Sequence, residues 1–178
     1  MSKTVIPFTG KVVNFNTTLR FVEVISRLES EINKAGSANI IERLRTVQNQ
    51  EEFTTVVKRT IEQDFLYFSE MPHSKLLKFV DGVEKPRIVV YTVGNPIIAQ
   101  KILKYNPLAA YSIPPRLLII EEPQGTTVSY HLPSTVMGVL HGENHPLLQA
   151  ELELLDGKVE RLAAKITALQ SAIVNENP

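Results

Sequence analysis

Glu70 and His73 stand three residues apart in FLYFSEMPH, just past an aromatic run. A carboxylate at that distance from an imidazole can orient one tautomer, accept a proton or join in holding a metal. The pair also reads as a surface loop whose turn is fixed by Pro72. Gly94-Asn95-Pro96 joins an apolar strand to an apolar helix. Asn at a helix N-cap accepts an N–H from the first turn, Pro at the first helical position has no N–H to lose, and Gly eases the chain out of the strand. Helix initiation therefore accounts for every residue type there. The functional alternative is a carboxylate or phosphate held by the free N–H groups and the positive end of the helix dipole. Arg116 follows two prolines and opens an apolar strand; it can clamp an anion near that helix or pair with Glu121 or Glu122. Tyr130 belongs to an alternating strand and points with the apolar set, with its hydroxyl available at the rim of a site.

No larger constellation supports these residues. The chain has no cysteine, which excludes disulfides, thiolate nucleophiles and Cys-ligated metals. Catalytic zinc normally takes three protein ligands, and no HExxH pattern is present. His131, His141 and His145, with Glu143 or Asp156, form the one other set, spread around VMGVLHGENHP. Neither a GxGxxG nor a P-loop pattern accompanies Gly94, and no Gly-x-Ser-x-Gly elbow exists. Neither a metal nor a cofactor is expected. Nineteen Lys plus Arg balance nineteen Asp plus Glu, so the basic face of a nucleic-acid reader is not expected either. The start, MSKTVIPFTGKVV, lacks a signal-peptide core, and no run approaches the ~20 apolar residues of a membrane span. The expectation is a soluble, cytoplasmic protein with no membrane partner.

These residues must be positioned by a chain of 178 residues, long enough to bury roughly two-thirds of its unfolded surface. Lys11 to Phe15 predicts a strand, and Asn16-Thr17-Thr18 offers capping side chains before Phe21, Ile25, Leu28 and Ile32 recur at helical spacing as far as Gly36. A helical insert follows at about 37–63, weak around Ile40, Ile41 and Leu44, then opened by an Asn49/Glu52 capping box with Phe53, Val56, Val57, Thr60 and Ile61 on one face. FLYFSEM predicts a strand, HSKLLKFVDG a short helix or turn, and Arg87 to Val93 a strand buried on both faces. After the helix to Tyr105, RLLIIEE and TTVSYHL flank Pro123-Gln124-Gly125 as a hairpin, with Val128, Tyr130 and Leu132 inward. Pro146 begins a long helix to about Val174. The order suits an α+β two-layer sandwich: about five mostly antiparallel strands with helices on one face. Residues 1–145 form its single domain, and 146–178 form a C-terminal helix.

From Phe65 to Ser134 the chain resembles the family known as domain of unknown function 302. The residues that carry the resemblance come in the family's order: Phe68, Glu70 and His73, then Gly94 to Pro96 and Ala99, then Pro114 with Leu117, Leu118 and Glu121, then Gly125, Tyr130 and Pro133. The resemblance implies a curved sheet with helices, similar to the TATA-binding-protein class, and assigns no catalytic residue. It also marks His73 as the first functional side chain to consider.

Two functions follow as expectations. One is a module that binds a small molecule or anion, or a protein partner, with Glu70, His73, Asn95, Arg116 and Tyr130 at the site and Phe68 and Tyr91 lining it. The alternative is a metal-independent isomerase or hydrolase using His73 as acid or base, oriented by Glu70. The C-terminal helix carries Leu148, Leu152, Leu155, Val159, Leu162, Ile166, Leu169 and Ile173 at alternating spacings of four and three. About 28 residues at ~1.5 Å each would overhang a ~22 Å strand. Leu162, Ile166, Leu169 and Ile173 are therefore expected to pair with a second copy, unless Gly157 splits the helix.

Overall fold

The computed structural model describes residues 1–169. Its order is β1 (Val12–Thr17), α1 (Phe21–Glu31), α2 (Ile40–Thr46), α3 (Gln50–Thr60), β2 (Leu66–Pro72), α4 (Ser74–Asp81) and β3 (Ile88–Gly94). It continues with α5 (Pro96–Tyr105), a 3-10 helix (Pro107–Tyr111), β4 (Arg116–Glu122), β5 (Gly125–His131), α6 (Pro133–Met137) and α7 (Pro146–Thr167). The strands form one antiparallel sheet in the order β1-β5-β4-β3-β2. This is the expected α+β fold with a long C-terminal helix. Among the described residues no helix is long and apolar enough to cross a membrane.

Alternation along the strands sends one set of side chains into the core: Val128 and Tyr130 from β5, Leu117 and Ile119 from β4, Val89, Tyr91 and Val93 from β3. They meet Val24 and Leu28 of α1, Ile98 and Ile102 of α5, and Leu148, Leu152 and Leu155 of α7 in one cluster. β3 departs from expectation. Ile88, Val90 and Thr92 on its second face are only half-covered, because the helices pack on one side of the sheet. At the hairpin, Gly125 has φ +148°, and a Cβ there would lie 1.9 Å from the Thr17 carbonyl oxygen, so β1 closes on β5 only over a glycine.

The start of α1 also differs. Asn16 stays in β1, where its Oδ1 accepts from Thr127 Oγ1 at 2.9 Å, and the N-cap falls on Arg20 without a side-chain bond. Cross-strand pairing thus takes the side chain that looked like a cap. At α3 the expected cap forms in modified shape: Asn49 Oδ1 accepts from the Glu52 N–H at 2.9 Å, while the Glu52 carboxylate accepts from Asn49 Nδ2 at 3.0 Å and from the Gln48 backbone N–H at 2.8 Å rather than from the Asn49 backbone.

The predicted overhang of the C-terminal helix does not form at Leu162 and Ile166. Helix α7 runs unbroken through Gly157 but ends at Thr167, and Leu162 and Ile166 are buried at 7% and 0% exposure within their own chain. The expectation measured the helix against a strand alone. In the fold its last turns lie along α1, tied by Lys165 to Glu31 at 2.8 Å and by Arg27 Nη1 to the Ala168 carbonyl at 2.6 Å. Leu169 is 62% exposed, and Ile173 lies outside the described residues.

Candidate ligand-binding site

Asn95 resolves what the Gly-Asn-Pro corner does locally. Its Oδ1 accepts from the N–H groups of Ile97 and Ile98 at 3.0 and 3.4 Å, and its Nδ2 donates to the Asp64 carbonyl at 3.2 Å. Pro96 takes the first helical position. The free donors an anion would need at this helix start are already bonded to the Asn95 side chain. Gly94 has its own reason. A Cβ on it would stand 2.9 Å from Pro114 Cβ and 3.2 Å from the Phe68 ring. Phe68 reaches that place because the β2–β3 register shifts between Tyr67 and Ser69, a bulge that re-aims the side chain at its centre.

The corner forms one wall of a cavity of about 390 Å³. Phe68 and Pro114 close it on the sheet side, Ala99 and Leu103 come from α5, and Leu44 and Phe53 come from the α2–α3 insert. Among the described residues no charged side chain lines it. Its polar groups are Asn95, whose Oδ1 and one Nδ2 hydrogen are already bonded, and Gln100, whose amide exchanges hydrogen bonds with Gln50 of α3 at 2.7 and 3.1 Å across the rim. The space is apolar, of small-ligand size, and bordered by a bond that can open.

Glu70 lies elsewhere, in a cleft at the other end of β3. Lys34 Nζ stands 2.7 Å from both Glu29 Oε1 and Glu70 Oε2, and 5.3 and 5.4 Å from the ring centres of Tyr67 and Tyr91. The Tyr91 hydroxyl donates to Glu29 Oε1 at 2.7 Å, with Glu70 within reach. Burial alone would raise the Glu70 carboxyl, yet the hydrogen bond and charge of the Lys34 ammonium hold it below its ordinary value. Burial likewise opposes the Lys34 ammonium, which its two carboxylates hold above its ordinary value. Burial first, and the two carboxylates second, push the Tyr91 hydroxyl well up. Each group is thereby kept in its resting protonation state around neutral pH.

The remaining candidates are dispersed. His73 is the N-cap residue of α4, without a side-chain cap bond, and does not line the cavity beside Asn95. Arg116 is an exposed residue at the start of β4, opposite Thr92. Glu121 pairs instead with Arg87, through bonds of 3.0 and 2.6 Å. Tyr130 is 3% exposed, stacked on Phe15 at 6.4 Å, and burial pushes its hydroxyl up to about 12. His145 caps α7, its Nδ1 accepting from the Leu147 N–H at 3.2 Å, and stacks on Tyr105. Among the described residues no group of three His, Asp or Glu side chains is placed to hold a metal. The structure therefore brings Asn95 and Phe68 together, and Glu70 and Tyr91 together, in separate places. Lys34, the partner of Glu70, and Glu29, the carboxylate that shares it, carried no sequence signal, being ordinary charges after and on an amphipathic helix. Leu44 and Phe53 were legible as helix faces, but not as cavity walls.

Comparison with known proteins gives a family and a fold. The model of the family described as "Domain of unknown function DUF302" matches residues 43–169. The crystal structure of an uncharacterized conserved DUF302 protein from Bacillus stearothermophilus is similar, with a TM-score of 0.60 and 17% identity over 87% of this chain and 97% of that one. No curated protein matches the sequence.

Proposed function

Since this chain belongs to the DUF302 family, whose description names no activity, we propose from the geometry that it is a small-ligand-binding module taking an uncharged, hydrocarbon-rich molecule in the cavity beside Asn95. The observation that carries this reading is a cavity of about 390 Å³ without a charged lining residue among those described. Sites of roughly 300–1,000 Å³, mostly apolar with a few polar groups, are the usual form of a small-molecule site. An anion is disfavoured, because among the described residues no cation lines the space and Asn95 occupies the helix donors. The Gln100 amide is the one rim group that can turn from Gln50 to a ligand's hydroxyl or carbonyl.

The test is a thermal-shift screen of uncharged aromatic and medium-chain aliphatic compounds, with carboxylates and phosphates as the contrasting set. Uncharged compounds should raise the melting temperature of the natural protein. Ala99→Phe, which fills the cavity from α5, should abolish that rise while leaving the unliganded melting temperature within a few degrees. A panel without hits, hits confined to anions, or a response that survives Ala99→Phe would each overturn the reading.

A further inference from the structure

The α2–α3 insert is a helical hairpin held at one end. At its root, Ile40 of α2 and Val57 of α3 are buried against Leu66 of β2. The chain enters and leaves that root beside Asn33, whose Nδ2 donates to the Thr60 carbonyl at 3.0 Å and whose Oδ1 accepts from the Gly36 N–H at 3.0 Å. Its own carbonyl accepts from the Ser37 N–H at 2.8 Å, and Ser37 Oγ donates to the Ile32 carbonyl at 3.1 Å. Asn33 sits at φ 45°, a left-handed conformation that Asn tolerates better than most residues. One residue thus clasps both ends of the insert to the end of α1. Beyond the root burial stops. Between residues 41 and 56 nothing is buried, and among the described residues the only hydrogen bonds from that stretch to residues outside the insert join Gln50 to Gln100.

That free part carries Leu44 and Phe53, the insert's share of the cavity wall. Resting on the cavity as the ligand site proposed above, we infer that the insert is its lid, turning as one body about the Asn33 clasp with the Gln50–Gln100 pair as its latch. A segment with few buried contacts opens at lower free energy than the core beneath it. Here the bonds that break join two surface amides, and water replaces them at little cost. The hairpin stays whole as it turns, because Leu44, Phe53 and Val56 pack with Ile40 and Val57 in a cluster apart from the main core. Phe68 and Ile97 of the body complete that cluster and are the apolar surface that the closed lid covers. A hydrocarbon in the cavity touches Leu44 and Phe53 only in the closed arrangement. That difference in contact holds the lid shut over a bound ligand.

The experiment pairs amide hydrogen exchange on the full natural chain with stopped-flow binding of N-phenyl-1-naphthylamine, an uncharged aromatic probe whose emission rises in apolar surroundings. Amides of α2 and α3 should exchange through one shared opening, about a hundredfold faster than those of β3 and β4, and the bound probe should slow them. Gln50→Ala breaks the latch without touching the cavity lining. It should raise the probe's association and dissociation rates together, about threefold, and leave Kd nearly unchanged, whereas a wall residue that merely packs would change dissociation alone. Gln50→Cys with Gln100→Cys, joined by a short bis-maleimide in a chain with no other cysteine, should slow both rates about tenfold against the unjoined pair. Insert amides that exchange only together with the core, or probe rates indifferent to the staple while Ala99→Phe abolishes binding, would overturn the lid and leave the ligand site standing. A probe that the natural chain does not bind, or that binds Ala99→Phe equally well, would remove the ligand site and the lid with it.

Discussion

The two ends of β3 hold opposite kinds of cleft. At its C-terminal end, around Gly94 and Asn95, the walls are apolar and border a half-open space that nothing in the described chain fills. Toward its N-terminal half the cleft carries Glu70, Arg87 and Tyr91, residue types that can do chemistry. There Glu70 is bonded to Lys34, Arg87 to Glu121, and Tyr91 to Glu29. The difference teaches that reactive residue types mark a site only where their bonds are incomplete. A satisfied polar cluster in a folded chain works as a rivet, whereas unmet apolar surface is what a ligand can lower in free energy.

The comparison is broken most severely by filling the corner between β3 and α5. Gly94→Val places new carbon within 2.9 Å of Pro114 Cβ, a ring that cannot swing aside as a long side chain would. Overpacking of this kind costs roughly 1–3 kcal/mol, and the upper end is expected here. The urea midpoint should fall accordingly, and any response to an uncharged ligand should go with it. A change below about 0.5 kcal/mol would show that the cavity wall yields, and the contrast between a rigid apolar site and a riveted polar one would fail.

Removing the rivet is the next effect in size. Lys34→Met leaves Glu29 and Glu70 facing each other beside Tyr91 without their cation. Breaking a fully buried pair costs about 3–5 kcal/mol, but these side chains are about a third exposed, so about 1–2 kcal/mol is expected. Ligand response at the apolar cavity should be unchanged. Loss of ligand response in Lys34→Met at a temperature where the variant is folded would join the two clefts into one site.

How much of this was legible depended on whether the signal was local. The alternation of Val128 and Tyr130, the Asn49 cap of α3 and the Gly-Asn-Pro helix start each lie within a few residues, and each formed as expected. What escaped depends on contacts distant along the chain. Lys34 meets Glu70 across thirty-six positions, and Arg87 meets Glu121 across thirty-four. The bulge that turns Phe68 over Gly94 is a matter of register, which the aromatic run FLYF does not encode visibly. The heptad pattern of α7 was read correctly as an apolar stripe but assigned to the wrong cover at Leu162 and Ile166, since the same spacing serves a neighbouring helix of the same chain.

Asn95 sharpens the comparison at a smaller scale, because its two possible roles predict different losses. As a cap, Asn95→Ala removes both acceptor bonds at the start of α5 and the tie to Asp64, and should lower stability by about 1 kcal/mol, or a few degrees in melting temperature. Affinity for an uncharged ligand should change less than about threefold. Undiminished stability with a tenfold loss of affinity would return the residue to the ligand.

The smallest effect belongs to the rim of the polar cleft, where Arg87 lies 4.5 Å over the Phe21 ring and grips Glu121 with its side chain and its backbone N–H. Those bonds hold the Glu121 carboxyl down at about 2, against an ordinary 4.5. A carboxyl whose folded value is depressed stabilises the fold fully above its unfolded value, and that contribution is lost as pH falls through the folded one. The window is therefore about pH 4.5 down to about 2. Side-chain exposures of 44% for Arg87 and 33% for Glu121 let water screen the pair, so its worth is at most about 1 kcal/mol rather than the full shift. Glu121→Gln should thus lie about 0.5–1 kcal/mol below the natural protein at pH 7, converge with it by pH 2, and lose most of the gap in 1 M salt. A gap that persists unchanged at pH 2 would mean that Glu121 acts through packing and neutral hydrogen bonds, and the polar cleft would then be riveted by shape as much as by charge.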